Sequence, residues 1–155
     1  METLEIKKEA ALKAHENASS KGRELLENLL GKKTFLKQVT ERIKTINDIL
    51  EDNGITQKEL DTMFANAPEH LKYQYIGELL CKSLNEGWLP DWDNGEYDKY
   101  YPWFKMSSSG FRCDDYDSWG TFSLVGSRLC FKSSELARYA GEQFTDVYRK
   151  FMIIE

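Results

Sequence analysis

Leucines at 25, 26, 29 and 30 stand at helical spacing and stop at Gly31, whereas the residues before them offer mainly Ala10, Ala11, Ala14 and Ala18. Alanine favours a helix but brings little apolar area. Residues 5–30 therefore read as helix, with a break near 19–22, a loosely held beginning and Gly31 as the left-handed stop. The stripe Leu25, Leu26, Leu29 and Leu30 predicts docking on the core or on a second copy of the chain, hence a possible homo-oligomer. Residues 1–34 are set apart as a helical arm, with 35–155 as an α+β core, in one globular domain overall.

Two short helices follow a connector at 35–39. Thr45 and Asp48 have the spacing of a capping box, with Asp in place of Glu, and open a helix that ends at Gly54. Thr56 and Glu59 make the standard box and open a helix through Phe64. Pro68 suits the first turn of a longer helix, along which Leu71, Tyr75, Leu79 and Ile76, Leu80, Leu84 recur at i, i+4 before Gly87.

Beyond Gly87 the period shortens. Pro90 and Asn94-Gly95 mark turns. Residues 101–107, 110–116 and 121–131 alternate well enough for strands, with Gly126 as a bulge or bend and short polar links between them. Ser133 caps a last helix over 134–152, with Leu136, Ala140, Phe144, Val147 and Phe151 on one face and Gly141 beside it for close approach to the sheet. The fold class is thus α+β: a helical N-terminal half, then a three-stranded antiparallel meander with the C-terminal helix packed on it.

Charge changes the picture in one respect. The 155 residues carry a net charge of −5, which disfavours a general polyanion or anionic-membrane binder. Yet Lys21, Arg23, Lys32, Lys33, Lys37, Arg42 and Lys44 gather in 21–44 against three acids, whereas 45–104 carries twelve acids and four bases. Two solvated faces of opposite sign explain this pattern most simply. The three cysteines, Cys81, Cys113 and Cys130, form no CxxC pair and are expected as free thiols. With no apolar leader in METLEIKK and no run of about 18 apolar residues, a cytoplasmic protein is expected, or one packaged into a virion.

Several blocks carry a resemblance: LNEGW (84–88), PDW (90–92), KYYPWF (99–104), VGSRLCF (125–131) and SELARYAGEQF (134–144), with Lys21-Gly22, LLENLLG (25–31) and RIKT (42–45) upstream. In order and spacing they resemble a family of small uncharacterised proteins of bacteriophages and prophages of Bacteroides-type bacteria. The resemblance covers nearly the whole chain. It implies a phage or mobile-element setting and transfers no mechanism and no catalytic residue.

The residues themselves exclude the commoner chemistries. His15 and His70 are the only histidines, read as exposed helix residues, and there is no GxSxG, HExxH, GxxxxGK[ST] or GxGxxG motif. Gly126-Ser127-Arg128 could offer Ser127 and Arg128 to an anion, although a β-bulge with an ordinary surface arginine is the simpler explanation. Asp91, Asp93, Glu96, Asp98 and Asp114, Asp115, Asp117 are the oxygen-rich clusters that Mg²⁺ or Ca²⁺ would need. The EF-hand pattern fails, however, because Gly95 stands fifth and Pro102 twelfth from Asp91. No metal and no cofactor is expected.

What stands out is aromatic density: residues 88–131 hold twelve of the twenty aromatics and all four tryptophans. One helix covers one face of a small sheet, and alternation along 101–106 sends large rings to both. Either the N-terminal half covers the second face or some rings are exposed. Residues 88–104 mix these rings with Asp91, Asp93, Glu96 and Asp98, a mixture unusual for a core. Trp88 and Phe104 are expected to pin the segment, while Trp92, Tyr97 and Tyr100, flanked by Asp91, Asp93 and Asp98, are expected to be presented to a partly basic protein partner. The expected function is that of a non-catalytic phage or mobile-element accessory or structural protein. The alternatives are a single-stranded nucleic-acid binder using the aromatics with the basic 21–44 stretch, and, least favoured, a small hydrolytic or metal-dependent enzyme.

Overall fold

A computed structural model describes residues 6–36 and 38–154. The chain divides into two units, Met1–Arg42 and Ile43–Glu155. In the first, α1 (Lys8–Asn17) and α2 (Ser20–Leu30) meet at a corner where the Ser19 hydroxyl accepts from Gly22 N. A 3-10 turn (Lys32–Phe35) and the short α3 (Val39–Arg42) follow. Gly31, at φ 80°, ends α2 as its sequence predicts. The corner is tied from three sides. Arg23 donates to the carbonyls of His15 and Glu16 at 3.1 Å each. His15 stacks on Phe35 with ring centroids 4.1 Å apart, and its Nε2 lies 2.9 Å from Glu27. His15 is therefore a packed, half-buried residue and not the exposed one its place on an alanine-rich helix suggests. On α2, Leu25 and Leu29 are exposed, while Leu26 and Leu30 are half-buried.

The second unit opens with α4 (Ile46–Asp52) and α5 (Gln57–Met63), each started by its capping box with both reciprocal hydrogen bonds formed. These bonds satisfy amide groups that the first helical turn leaves without partners. Then comes α6 (Glu69–Asn85), whose Ile76, Leu79, Leu80 and Leu84 are buried. Asn53 ties α4 to it by donating to Ser83 Oγ at 2.8 Å. The left-handed Glu86 and Gly87, at φ 50° and 85°, turn the chain out of α6.

The sheet is a two-stranded antiparallel hairpin, β1 (Lys99–Ser107) and β2 (Gly110–Trp119), with Ser107 opposite Gly110 across the turn. Trp103 faces Asp115 and Phe104 faces Cys113, so Asp114 is bulged out of the ladder. The third strand expected over 121–131 is not formed. That stretch is loop and turn, save for a single bridge in which Tyr100 and Phe131 exchange backbone hydrogen bonds at 3.0 and 2.7 Å. Turn chemistry overrides the alternation of Phe122 and Leu124. The Ser123 hydroxyl collects the amides of Val125 and Gly126 at 3.1 and 2.7 Å, which closes the chain on itself where a strand would need those amides for a ladder.

The last helix is also two. α7 (Ser134–Gln143) is capped by Ser133, and α8 (Thr145–Met152) follows a break at Phe144, whose φ and ψ are −116° and 29°. Thr145 Oγ1 donates back to the Gly141 carbonyl at 2.6 Å. α7 lies across both strands, and α8 packs between α6 and β2. The unit is thus layered: hairpin, then α7 and α8, then α6.

Gly141 sets the distance between α7 and the hairpin. A Cβ there would stand 2.8 Å from Pro102 Cβ and closer still to Cys113 Sγ. Gly141→Ala should therefore cost about 1–3 kcal/mol by overpacking. Since alanine is otherwise the better helix residue, an unchanged or raised denaturation midpoint would refute this seating of α7.

Candidate binding surface

Strand alternation and register assign the two faces of the hairpin. Tyr100, Pro102, Phe104 and Met106 share one face of β1, with Phe111, Cys113, Tyr116 and Ser118 opposite on β2. This is the covered face. Pro102 and Cys113 meet α7 at Gly141, and Phe104 stacks on Phe111 at 4.7 Å and meets Tyr148 of α8 at 4.8 Å. The Arg138 guanidinium of α7 sits 5.4 Å from the Tyr116 ring centroid and reaches the Asp115 carboxylate at 2.8 Å. It thereby shields the outer edge of β2.

The other face carries Lys99, Tyr101, Trp103 and Lys105 on β1, with Trp119, Asp117, Asp115 and Arg112 opposite on β2. Tyr101 is buried, but Trp103 and Trp119 on either side of it are 49% and 44% exposed. The Trp119 indole N–H donates to the Tyr101 hydroxyl, which donates to Asp117 at 3.2 Å. Asp117 also accepts the Ser118 amide at 2.8 Å. The polar edges of the rings are thus spent internally, which leaves their flat surfaces for contact, with exposed Lys105 and Arg112 at the far end of the face. Burial is the main cause that raises the Tyr101 phenol above its usual range, so the hydroxyl stays protonated and able to donate at neutral pH.

Lys99 organises the loops beside this face. Its side chain is almost wholly buried, and Nζ donates to the carbonyls of Asn94 at 2.9 Å, Tyr97 at 2.7 Å and Gly120 at 2.8 Å. Three donors meet three acceptors. The ammonium also lies 5.3 Å from the Trp92 ring centroid. It acts as a covalently attached cation for the acidic turn, at the point where the carbonyls of that turn converge. Among the described residues no three His, Cys, Asp or Glu side chains converge as a metal ion would require.

Around this post the residues singled out from sequence separate. Trp92 is half-buried, with its indole N–H on Ser127 Oγ at 2.7 Å. Tyr97 is 66% exposed. Tyr100 is half-buried on the covered face, edge-on to Tyr116 at 5.7 Å. Asp91 caps the Asp93 amide at 3.0 Å, and Asp98 accepts from the Ser118 hydroxyl at 3.0 Å, with all three acids exposed. Arg128 projects into solvent 3.7 Å from Glu78. Of the two expected pins, Trp88 is half-buried after α6 and Phe104 is held between Phe111 and Tyr148.

Sequence reasoning missed Trp103, Trp119 and Lys99 as members of the surface. The signal for the first two was present, since Tyr101 and Trp103 at i, i+2 must share a face opposite Pro102. Nothing local marks Lys99, whose burial depends on carbonyls contributed from both sides of the hairpin.

The remaining reactive groups are poor nucleophiles. Cys81 and Cys130 are buried and Cys113 half-buried. Burial pushes all three thiols up, Cys81 well above its usual value and Cys130 to about 11. A thiol is nucleophilic only as thiolate, so at neutral pH these are inert core groups. Asn85, buried at the end of α6, uses its amide on the Cys130 carbonyl at 2.8 Å and the Lys132 amide at 3.0 Å, a structural clamp on the returning segment.

No family model, no curated protein and no solved structure matches this chain. No helix among the described residues is long and apolar enough to cross a membrane.

Proposed function

We propose that the protein is a non-catalytic accessory or structural component, in the phage or mobile-element setting that its sequence resemblance implies, and that it binds a basic segment of a protein partner on the open face of the hairpin. The observation that supports this most is the pair Trp103 and Trp119, half-exposed on either side of the buried Tyr101, on the face opposite α7 and α8. Exposed tryptophans on a rigid support are what hot spots are made of. The surroundings select the partner's charge. Beside the face the turn carries Asp91, Asp93, Glu96 and Asp98, and the face itself carries Asp115 and Asp117 against Lys105 and Arg112 at its far end. Asp114 and Asp115 are met by Arg112 and Arg138, so the acidic excess lies at the turn. Such a surface attracts Lys and Arg side chains, which also stack well on indole faces, and it repels phosphate. The alternative of single-stranded nucleic acid keeps the stacking rings but meets the wrong field.

Trp92, Trp103 and Trp119 lie in this region, so intrinsic fluorescence is the natural probe. A short alternating Lys/Leu peptide should perturb it saturably, more weakly as salt rises, whereas an oligothymidine should not. Trp103→Ala with Tyr97→Ala should weaken peptide binding about tenfold or more, with stability kept within about 1 kcal/mol because both rings are exposed. Oligothymidine binding with a steep salt dependence would favour the nucleic-acid reading instead. Loss of folding in the double variant would make the rings core residues and sink the proposal.

A further inference from the structure

Residues 120–127 form a loop whose two ends are held by the same post. Lys99 Nζ fixes its start through the Gly120 carbonyl at 2.8 Å, and Trp92, with Lys99 near its ring, fixes its end through Ser127 Oγ at 2.7 Å. Backbone contact reinforces the start: a Cβ on Gly120 would fall 2.5 Å from the Gly95 carbonyl oxygen, so only glycine fits there. Inside the loop, Ser123 Oγ accepts the amides of Val125 and Gly126, which closes the tip. The tip is thus built from specific hydrogen bonds, and what it displays is apolar. Phe122 is 75% and Leu124 77% exposed, two residues apart, with the exposed Ser123 between them bonding the loop's own backbone. The acidic turn lies against the base of the loop, where Gly95 meets Gly120 and Thr121.

We infer that this loop is an insertion finger, whose Phe122 and Leu124 enter an apolar cleft with a basic rim on the protein partner. The inference rests on the proposed function and extends it from the ring surface to a second, protruding anchor. Pre-ordering matters here. A loop pinned at both ends loses little conformational freedom on binding, so more of the apolar burial is retained as affinity. The charge pattern favours this kind of cleft, because the acidic turn at the base of the finger suits positive groups around the apolar floor, while Arg128 beyond its far end lies 3.7 Å from Glu78. A lipid surface is the competing occupant, and those acids repel anionic headgroups.

The test uses the full chain and an amphipathic Leu/Lys helical peptide, whose leucine stripe flanked by lysines is an apolar strip with a basic border rather than a closed cleft. Its Leu/Glu twin and zwitterionic vesicles serve as the other arms. Phe122→Ser with Leu124→Ser should fold as the parent does and bind the Leu/Lys peptide about tenfold or more weakly. Parent chain should show negligible affinity for the Leu/Glu twin and for vesicles. Equal binding by the Ser variant and the parent would overturn the finger. If Trp103→Ala with Tyr97→Ala were then the variant that lost binding, the ring surface would stand without it. Vesicle binding that depends on Phe122 and Leu124 would overturn the protein cleft in favour of a membrane. No binding of the parent to the Leu/Lys peptide at millimolar concentration would overturn the finger, and the alternating peptide would then judge the ring surface separately.

Discussion

Lys99→Met is expected to lower the stability of the 43–155 unit by about 3–5 kcal/mol. Methionine matches the length of lysine and can fill its channel, so little of the loss would come from packing. The loss arises because the carbonyls of Asn94, Tyr97 and Gly120 each lose a hydrogen bond to a charged donor. Such bonds contribute about 1.5–3 kcal/mol apiece, and an acceptor left buried without a partner costs more than the bond was worth. Partial hydration of the three carbonyls would recover some of that sum. Arginine should not restore the parent value, because its planar fork presents donors in one plane and cannot converge on three carbonyls as an ammonium does. Urea unfolding followed by tryptophan fluorescence measures both variants. A shift below about 1 kcal/mol for Lys99→Met would mean that the ammonium is solvated and that the loops do not depend on it.

The same residue shows where a sequence stops being legible. Helix starts were readable because a capping box is local: Thr45 with Asp48 and Thr56 with Glu59 carry both partners within four positions, and both boxes form. Ser133 as the cap of α7 and Gly31 as the end of α2 are of the same kind. The closeness of α7 to the sheet could be anticipated from one glycine on a helix face, and Gly141 lies there against Pro102 and Cys113. Lys99 has no such local sign. At the start of an aromatic strand a lysine reads as a solvated end, and only the return of Gly120 from the far end of β2 completes its cage.

The two errors of architecture have a common origin. Phe122 and Leu124 alternate with polar residues, which is the strand period, and that period is also what a two-residue tip produces when Ser123 between them bonds the loop's own backbone. Likewise the apolar face through Leu136, Ala140, Phe144, Val147 and Phe151 continues across a break, because a one-residue kink at Phe144 keeps the next turn facing the same layer. Periodicity reports which side is buried more faithfully than it reports an unbroken backbone. For the candidate surface, composition marks residues 88–131 as ring-rich but does not say which rings are displayed. That depends on the register that sets Trp103 opposite Asp115, and on α7 choosing the face of Pro102.

Phe144→Ala should be the most damaging single truncation in the helical layer, at about 3–5 kcal/mol. The ring is buried at the corner where α7 turns into α8, edge-on to Tyr139 with centroids 6.3 Å apart. Tyr139 in turn donates to the Ile43 carbonyl at 2.6 Å and Gln143 to the Lys44 carbonyl at 2.8 Å, so the corner also holds the first residues of the unit. Removing the ring leaves a void among groups fixed by hydrogen bonds, which limits collapse around it and puts the cost in the upper part of the range for phenylalanine. Alanine has a second effect. Phe144 sits at φ −116°, outside the helical region, and alanine favours the helix. The variant is therefore drawn toward one continuous helix, which alters how Val147 and Tyr148 seat in their layer. Phe144→Leu keeps most of the volume with less pull toward the helix than alanine exerts, and should lose markedly less stability. Equal midpoints for the parent and the alanine variant would show that the corner is not packed as described. Equal losses for the leucine and alanine variants would show that ring shape at this site matters more than the volume it fills.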